Sequence, residues 1–166
     1  IGTISAIGIY YTKKRTQQAL LTLNQIPIVS PDIIIGVSTM LLFILLQLPF
    51  GWITVLLAHI MFCTPVVIIS IMPRFSSLDT ALVEAAEDLG ANPWEVLRVA
   101  VMPHIRPGII AGAIMSFTFS LDDFVVTYFT AGEGTSTLSI EIYTQIKRQV
   151  SPELNALSTL MLAVIL

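Results

Sequence analysis

An all-α, polytopic transmembrane helical bundle is the fold class this sequence predicts, and three observations predict it. Hydrophobic residues make up 55% of the 166 residues and charged residues only 11%, with a mean hydropathy of +0.85. That composition lies far outside the ordinary globular range. The apolar residues gather into runs comparable to the roughly 20 residues a helix needs to cross a bilayer core. None of these runs alternates like a membrane β-strand, and irregular backbone is costly in lipid, so they read as helices.

About five such membrane segments are present. Ile1–Thr12 and Ala156–Leu166 read as helices cut at the chain ends, so the bundle is expected to be truncated at both ends and the chain to be a piece of a longer protein. The complete runs are Ile26–Pro49, Trp52–Pro73 and Pro107–Ala131. No repeat, low-complexity tract or hinge divides residues 1–166, which read as one transmembrane domain with a cytoplasmic loop at about 74–106. With that loop inside, Lys13, Lys14, Arg15, Arg74, Arg98 and Arg106 are cytoplasmic and only Lys147 and Arg148 are outside, as the positive-inside rule asks. The segment Gly132–Asn155 then lies on the outer face, where Lys147, Arg148 and Glu153 either meet a solute-delivering protein or are simply solvated. Trp52 and the Tyr10–Tyr11 pair suit the aromatic belt or a translocation path. Cys63 is the only cysteine, which excludes a disulfide framework within the chain. His59 and Cys63 share a helical face four residues apart, a spacing that serves either metal or packing; two ligands are too few for a metal site.

The loop is the least lipid-like stretch. Leu78, Ala81, Leu82, Ala85, Ala86 and Leu89 fall in one helical stripe, with Glu84, Glu87 and Asp88 off it. Ser76 and Asp79 suit an N-terminal cap, and Gly90 suits the left-handed residue that ends a helix. A second helix is expected at once: Asn92 as cap, Pro93 in the first turn, Glu95 completing a capping box, and Trp94, Leu97 and Val101 as an apolar face that Met102–Pro103 stops. A helix lying on headgroups, or a solvated loop, is the plainer alternative. Surface-seeking helices carry Lys and Arg, however, whereas in Glu84–Pro103 four carboxylates face one arginine, which favours a protein partner.

In this loop the chain resembles the permease subunits of bacterial ABC importers. Their pattern is EAA, three residues, Gly, nine residues, then I-x-L-P; here Glu84-Ala85-Ala86 leads to Gly90 and then to Ala100-Val101-Met102-Pro103. Ala100 replaces Ile and Met102 replaces Leu, both apolar exchanges. The resemblance implies a coupling helix around Glu84, Ala85, Ala86, Asp88 and Gly90 that docks into a groove of a separate ATP-binding subunit.

The membrane runs also carry carboxylates: Asp122 and Asp123 in one, Asp32 in another. An ionised Asp at mid-bilayer costs about 3 kcal/mol on the insertion scale, so these should face an interior. Gly112, Ser116, Ser120, Asp123, Thr127 and Thr130 follow helical steps of three or four and form a small, polar stripe; Asp32 starts a comparable line through Gly36 and Thr39. Asp122 sits about 100° round the helix from Asp123. Either aspartate is alternatively a cap for a broken helix or the partner of a residue on another subunit. No Lys or Arg lies within the complete runs, so the carboxylates favour a cationic solute, with Asp32, Ser120, Asp122, Asp123 and Thr127 as its pathway.

The segments SLDDFVVTYFTAG, TLSIEIY and KRQVSPELNALSTLML are similar to the spermidine/putrescine importers, with Ser139 where those commonly have Pro. The resemblance implies a polyamine permease in a bacterial inner membrane, with ATP-binding subunits, a second homologous permease subunit, a periplasmic or extracellular solute-binding protein and lipid as partners. Nucleic acid is not among them. No phosphate-cradling GxxxxGK[ST] loop is present, so the chain is expected to hold no cofactor and perform no catalysis, with ATP and Mg on the ATPase subunit. The alternatives are a permease for another cationic or metal solute such as ferric iron, an ion-coupled secondary transporter, or an intramembrane enzyme using Asp122 and Asp123. The last is disfavoured because adjacent residues diverge on a helix and cannot converge on one reacting atom.

Overall fold

The computed structural model describes residues 1–148 together with Ala156, Thr159, Leu160 and Ala163. Nine α-helices appear among the described residues: α1 (Gly2–Tyr10), α2 (Lys14–Val29), α3 (Asp32–Leu45), α4 (Trp52–Ser76), α5 (Thr80–Asp88), α6 (Pro93–Val96), α7 (Met102–Asp122), α8 (Val125–Thr130) and α9 (Leu138–Arg148). A π-helical turn, Leu97–Val101, joins α6 to α7, so Pro93–Asp122 runs as one helix of 30 residues. No strand occurs among the described residues. Among the described residues two helices are long and apolar enough to cross a membrane: α4, with mean hydropathy 2.4, and Pro93–Asp122, with 1.3. The pair α2 and α3 makes a third if it counts as one broken span.

Three expectations change. The run Ile26–Pro49 is not one helix: α2 ends at Val29, and Ser30 is extended (φ −75°, ψ 141°) because the following Pro31 crowds a helical conformation at the residue before it. The run Pro107–Ala131 also breaks, at Asp123–Phe124. Met102–Pro103, by contrast, does not stop its helix. The Met102 N–H reaches back five residues to the Leu97 carbonyl, and this wider turn absorbs the missing donor of Pro103. The terminal run Ala156–Leu166 lies largely outside the described residues, as do Glu153 and most of KRQVSPELNALSTLML.

The residues sort into two compact units, each drawn from two stretches of chain. Ile1–Pro31 and His59–Ser120 form the first. Its core is Ala6 of α1, Ile68, Ile71 and Phe75 of α4, Leu78, Val101 of the π-helical turn and Ile105 of α7. Tyr10 stacks on Phe75 with ring centres 4.3 Å apart. Close helix approach needs small residues: a Cβ on Gly108 would meet the Ser70 carbonyl and Ile71, and one on Gly112 would press on the backbone of Val67.

Asp32–Ala58 and the chain from Leu121 form the second unit. Here α3 packs along α8, and Gly36 lets the α8 backbone and the Phe129 ring approach. Thr54 ties the start of α4 to the end of α8, its hydroxyl 2.8 Å from the Thr130 carbonyl. At the end of α3, Gln47 takes a left-handed φ of 55° while Leu48 N–H bonds the Phe43 carbonyl and Gln47 N–H the Ile44 carbonyl. A glycine normally supplies that conformation.

Candidate functional site

In the first unit the acidic loop forms a rigid knob. Asp79 caps α5 by accepting a hydrogen bond from Ala81 N–H at 2.9 Å. Ser76 is not the cap, since α4 continues through it. Gly90 has φ +85°, Ala91 N–H bonds the Ala86 carbonyl and Gly90 N–H the Glu87 carbonyl, the pattern of a Schellman turn. Asn92 Oδ1 then accepts from Trp94 and Glu95 N–H, and Glu95 accepts from Asn92 N–H at 2.8 Å, which completes the capping box. These local hydrogen bonds close the end of α5 and the start of α6 at the bend.

The stripe read from the sequence is not a single buried face. Leu78 is buried and Ala86 half-buried, together with Val83, whereas Ala81, Leu82, Ala85 and Leu89 face outward. Leu89 is 89% exposed and Trp94 69%. Glu84 and Glu87 edge a cleft of about 270 Å³ that Tyr10, Tyr11, Leu78, Thr80 and Val83 complete. The knob therefore offers apolar side chains next to carboxylates, a surface suited to a protein groove with basic edges.

The predicted small, polar stripe divides between the two units. Gly112 packs on α4, the Ser116 carbonyl accepts from Cys63 Sγ at 3.6 Å, and Ser120 Oγ lies 2.7 Å from His59 Nδ1. The pair His59 and Cys63 thus packs against α7.

The second unit holds the other predicted residues, Asp122, Asp123 and Thr127 at the helix break and Asp32 at the start of α3. Asp123 caps α8: its carboxylate accepts from Val126 N–H (3.2 Å), Thr127 N–H (2.8 Å) and Thr127 Oγ1 (2.6 Å). These hydrogen bonds are those of the capping role weighed for this residue. Thr127 is fully buried, with its hydroxyl committed to Asp123. Asp122 is exposed at the end of α7, and Asp32 is exposed in the first turn of α3, while Gly36 and Thr39 of its line are buried. Those two residues serve helix packing. Ser139 donates to the Leu121 carbonyl at 2.7 Å, satisfying an acceptor that the break would leave open.

Three aromatic residues that sequence reasoning passed over, Phe124, Tyr128 and Tyr143, complete this region with Lys147, which it weighed as an outer-face contact. Phe124 stacks obliquely on Tyr143 (4.3 Å) and Tyr128 (5.5 Å). Lys147 Nζ sits 4.7 Å over the Tyr143 ring, and Tyr143 raises the lysine pKa, chiefly by hydrogen bonding. The (i, i+4) spacing of Tyr143 and Lys147 was the available signal. An aromatic cluster that already holds one primary ammonium, near an exposed carboxylate on the same short stretch, is chemistry suited to alkylamines.

The profile of the family described as binding-protein-dependent transport system inner membrane component matches residues 1–166. The chain is 37% identical over 162 residues to the spermidine/putrescine transport system permease protein PotC of Escherichia coli (strain K12), covering 98% of this chain and 61% of that protein. It is 38% identical over 162 residues to PotC of Haemophilus influenzae, covering 98% and 63%. It is 39% identical over 172 residues to the putrescine transport system permease protein PotI of Escherichia coli (strain K12), covering 99% and 61%. The chain thus spans about three-fifths of the length of these relatives.

Proposed function

Because the chain belongs to the family of inner membrane components of binding-protein-dependent transport systems, we propose that it is the membrane-spanning part of a permease subunit in an ATP-driven importer of polyamines, seated in a bacterial inner membrane. The observation that carries this reading is the continuous helix Pro93–Asp122. It starts at the acidic, apolar-faced knob and ends at the exposed carboxylate of Asp122, and at 1.5 Å per residue its 30 residues reach about 45 Å. This reading assigns the helix the role of passing movement of the knob onward.

ATP-binding subunits, carrying ATP and Mg, would grip Ala81, Leu82, Ala85 and Leu89, with Glu84, Glu87 and Asp88 meeting basic side chains. The hydrogen-bonded turn at Gly90 prevents α5 from pivoting independently of α6. At the other end, Asp122 would pair with one ammonium of the cargo while Phe124, Tyr128 and Tyr143 take the next, in competition with the tethered ammonium of Lys147. Asp123 and Thr127 would act as positioning residues that fix the start of α8. A solute-binding protein would deliver the polyamine, and a second permease subunit would complete the passage. The relatives' names, spermidine/putrescine and putrescine permeases, support the cargo class.

The test is uptake of labelled putrescine and spermidine into vesicles holding the full-length subunit with its ATP-binding, permease and solute-binding partners. ATP-dependent uptake that sodium or proton gradients cannot replace is expected. Uptake driven by an ion gradient without ATP would overturn the reading.

A further inference from the structure

We propose that Lys13, Lys14 and Arg15 form an anionic-lipid headgroup site that holds the cytoplasmic end of the first unit at the membrane surface and so sets the coupling knob. The inference rests on the importer reading for the knob, but not on the identity of the cargo.

The charge imbalance is local and complete. Residues 1–31 contain these three cations and no Asp or Glu. All three side chains are exposed, and none pairs with a carboxylate among the described residues. They follow directly on α1, an apolar helix that ends in Tyr10 and Tyr11, whose rings meet edge to face at 5.2 Å. Aromatic rings at the end of an apolar helix followed by a cationic triplet are the ingredients of a membrane–water boundary: the rings sit at headgroup level and the cations meet lipid phosphate. The next helix, α2, buries none of its 16 residues, and Leu20, Leu23, Ile26, Ile28 and Val29 remain exposed toward its far end. Its cationic end thus lies at the boundary and its apolar end belongs in hydrocarbon.

The same tyrosines connect this boundary to the knob. Tyr10 is fixed by its stack on Phe75, and both tyrosines line the cleft with Glu84 and Glu87 of α5. Two charges of opposite sign to the triplet therefore sit across the cleft from the residues that precede it. Lipid phosphate on Lys13, Lys14 and Arg15 offsets the cations at that point and leaves the α5 carboxylates available to a partner. An acidic segment of the ATP-binding subunit is the competing occupant; continuity with an apolar helix and the tyrosine pair favours lipid.

The full complex is reconstituted in vesicles of phosphatidylcholine alone and of phosphatidylcholine with phosphatidylglycerol, and solute-stimulated ATP hydrolysis is measured for wild type and for K13Q/K14Q/R15Q. Each juxtamembrane charge is worth about a fivefold change in affinity for an anionic surface, so the triple variant should lose roughly a hundredfold. Wild type is expected to gain activity with phosphatidylglycerol, to retain that lipid in native mass spectra, and to lose both with the triplet. The single variant K14Q, removing one charge, should shift the lipid requirement by about fivefold, which separates a graded lipid effect from misfolding. An unchanged lipid response in the triple variant overturns the proposal. So does loss of the ATP-binding subunit from the triple variant in every lipid, which would assign the site to protein. Failure of the importer reading looks different: no ATP-dependent uptake in any vesicle, wild type included.

Discussion

Asp122 and Asp123 are neighbours with the same chemistry, yet the structure separates their roles sharply enough to be measured. Removing the Asp123 side chain strips α8 of its cap and leaves Val126 N–H, Thr127 N–H and the buried Thr127 hydroxyl without their acceptor. A lost cap costs about 0.5–2 kcal/mol. An orphaned buried donor adds roughly 1–3 kcal/mol, so Asp123→Ala should destabilise the subunit by about 1.5–5 kcal/mol. Asp123→Asn keeps a good capping oxygen and should stay within about 1 kcal/mol of wild type. Asp122 is exposed, and Asp122→Asn should change stability by no more than about 0.5 kcal/mol. If Asp122 pairs with an ammonium of the cargo, its charge-assisted bond is worth roughly 1.5–3 kcal/mol. That corresponds to about a ten- to hundredfold loss in uptake kcat/KM. Thermal unfolding of the purified complex and initial uptake rates in vesicles read the two quantities separately. Destabilisation by Asp122→Asn, or Asp123→Ala unfolding like wild type, would refute the division of labour, and unaltered uptake in Asp122→Asn would remove that residue from the pathway.

Other positions give independent checks. Gly90→Val places a β-branched residue at φ +85°, at a strain of roughly 1–2 kcal/mol or more, with nothing within 4 Å to clash; ATP hydrolysis should continue while uptake per ATP falls, as the ratio of phosphate released to solute accumulated will show. Leu89→Asp and Trp94→Ala alter side chains that are 89% and 69% exposed, so folding should be unaffected while copurification of the ATP-binding subunit drops, by about 2 kcal/mol for a buried aromatic anchor. Gln47→Gly relieves the left-handed strain at the end of α3 and should stabilise the subunit by roughly 0.5–1 kcal/mol in denaturant titration.

What the sequence revealed and what it hid follow from the range of the interactions. The knob was readable because its caps are local: Asp79, Gly90, Asn92 and Glu95 act within a few residues, and their spacing encodes the bend. The inward and outward sides of α5 were not, because Val83 is turned inward by packing on a core built from distant parts of the chain. Hydropathy placed α4 well, but composition is blind to the turns at Ser30 and Asp123, where one proline and one capping carboxylate break apolar runs. Pro103 misled in the other direction, since a π-helical turn is a backbone solution with no sequence signature. The aromatic cluster went unseen because Phe124 and Tyr143 are brought together by the turn between α8 and α9.

The central claim is that the outward face of α5 is gripped by a motor subunit. With Cys63→Ser as background, single cysteines at Leu82 and Ala85 should form zero-length or short-arm crosslinks to the ATP-binding subunit in native membranes, and the yield should change when ATP is added. Crosslinks that capture only lipid or solvent-borne reagent, with the ATP-binding subunit present and uncrosslinked, would contradict it.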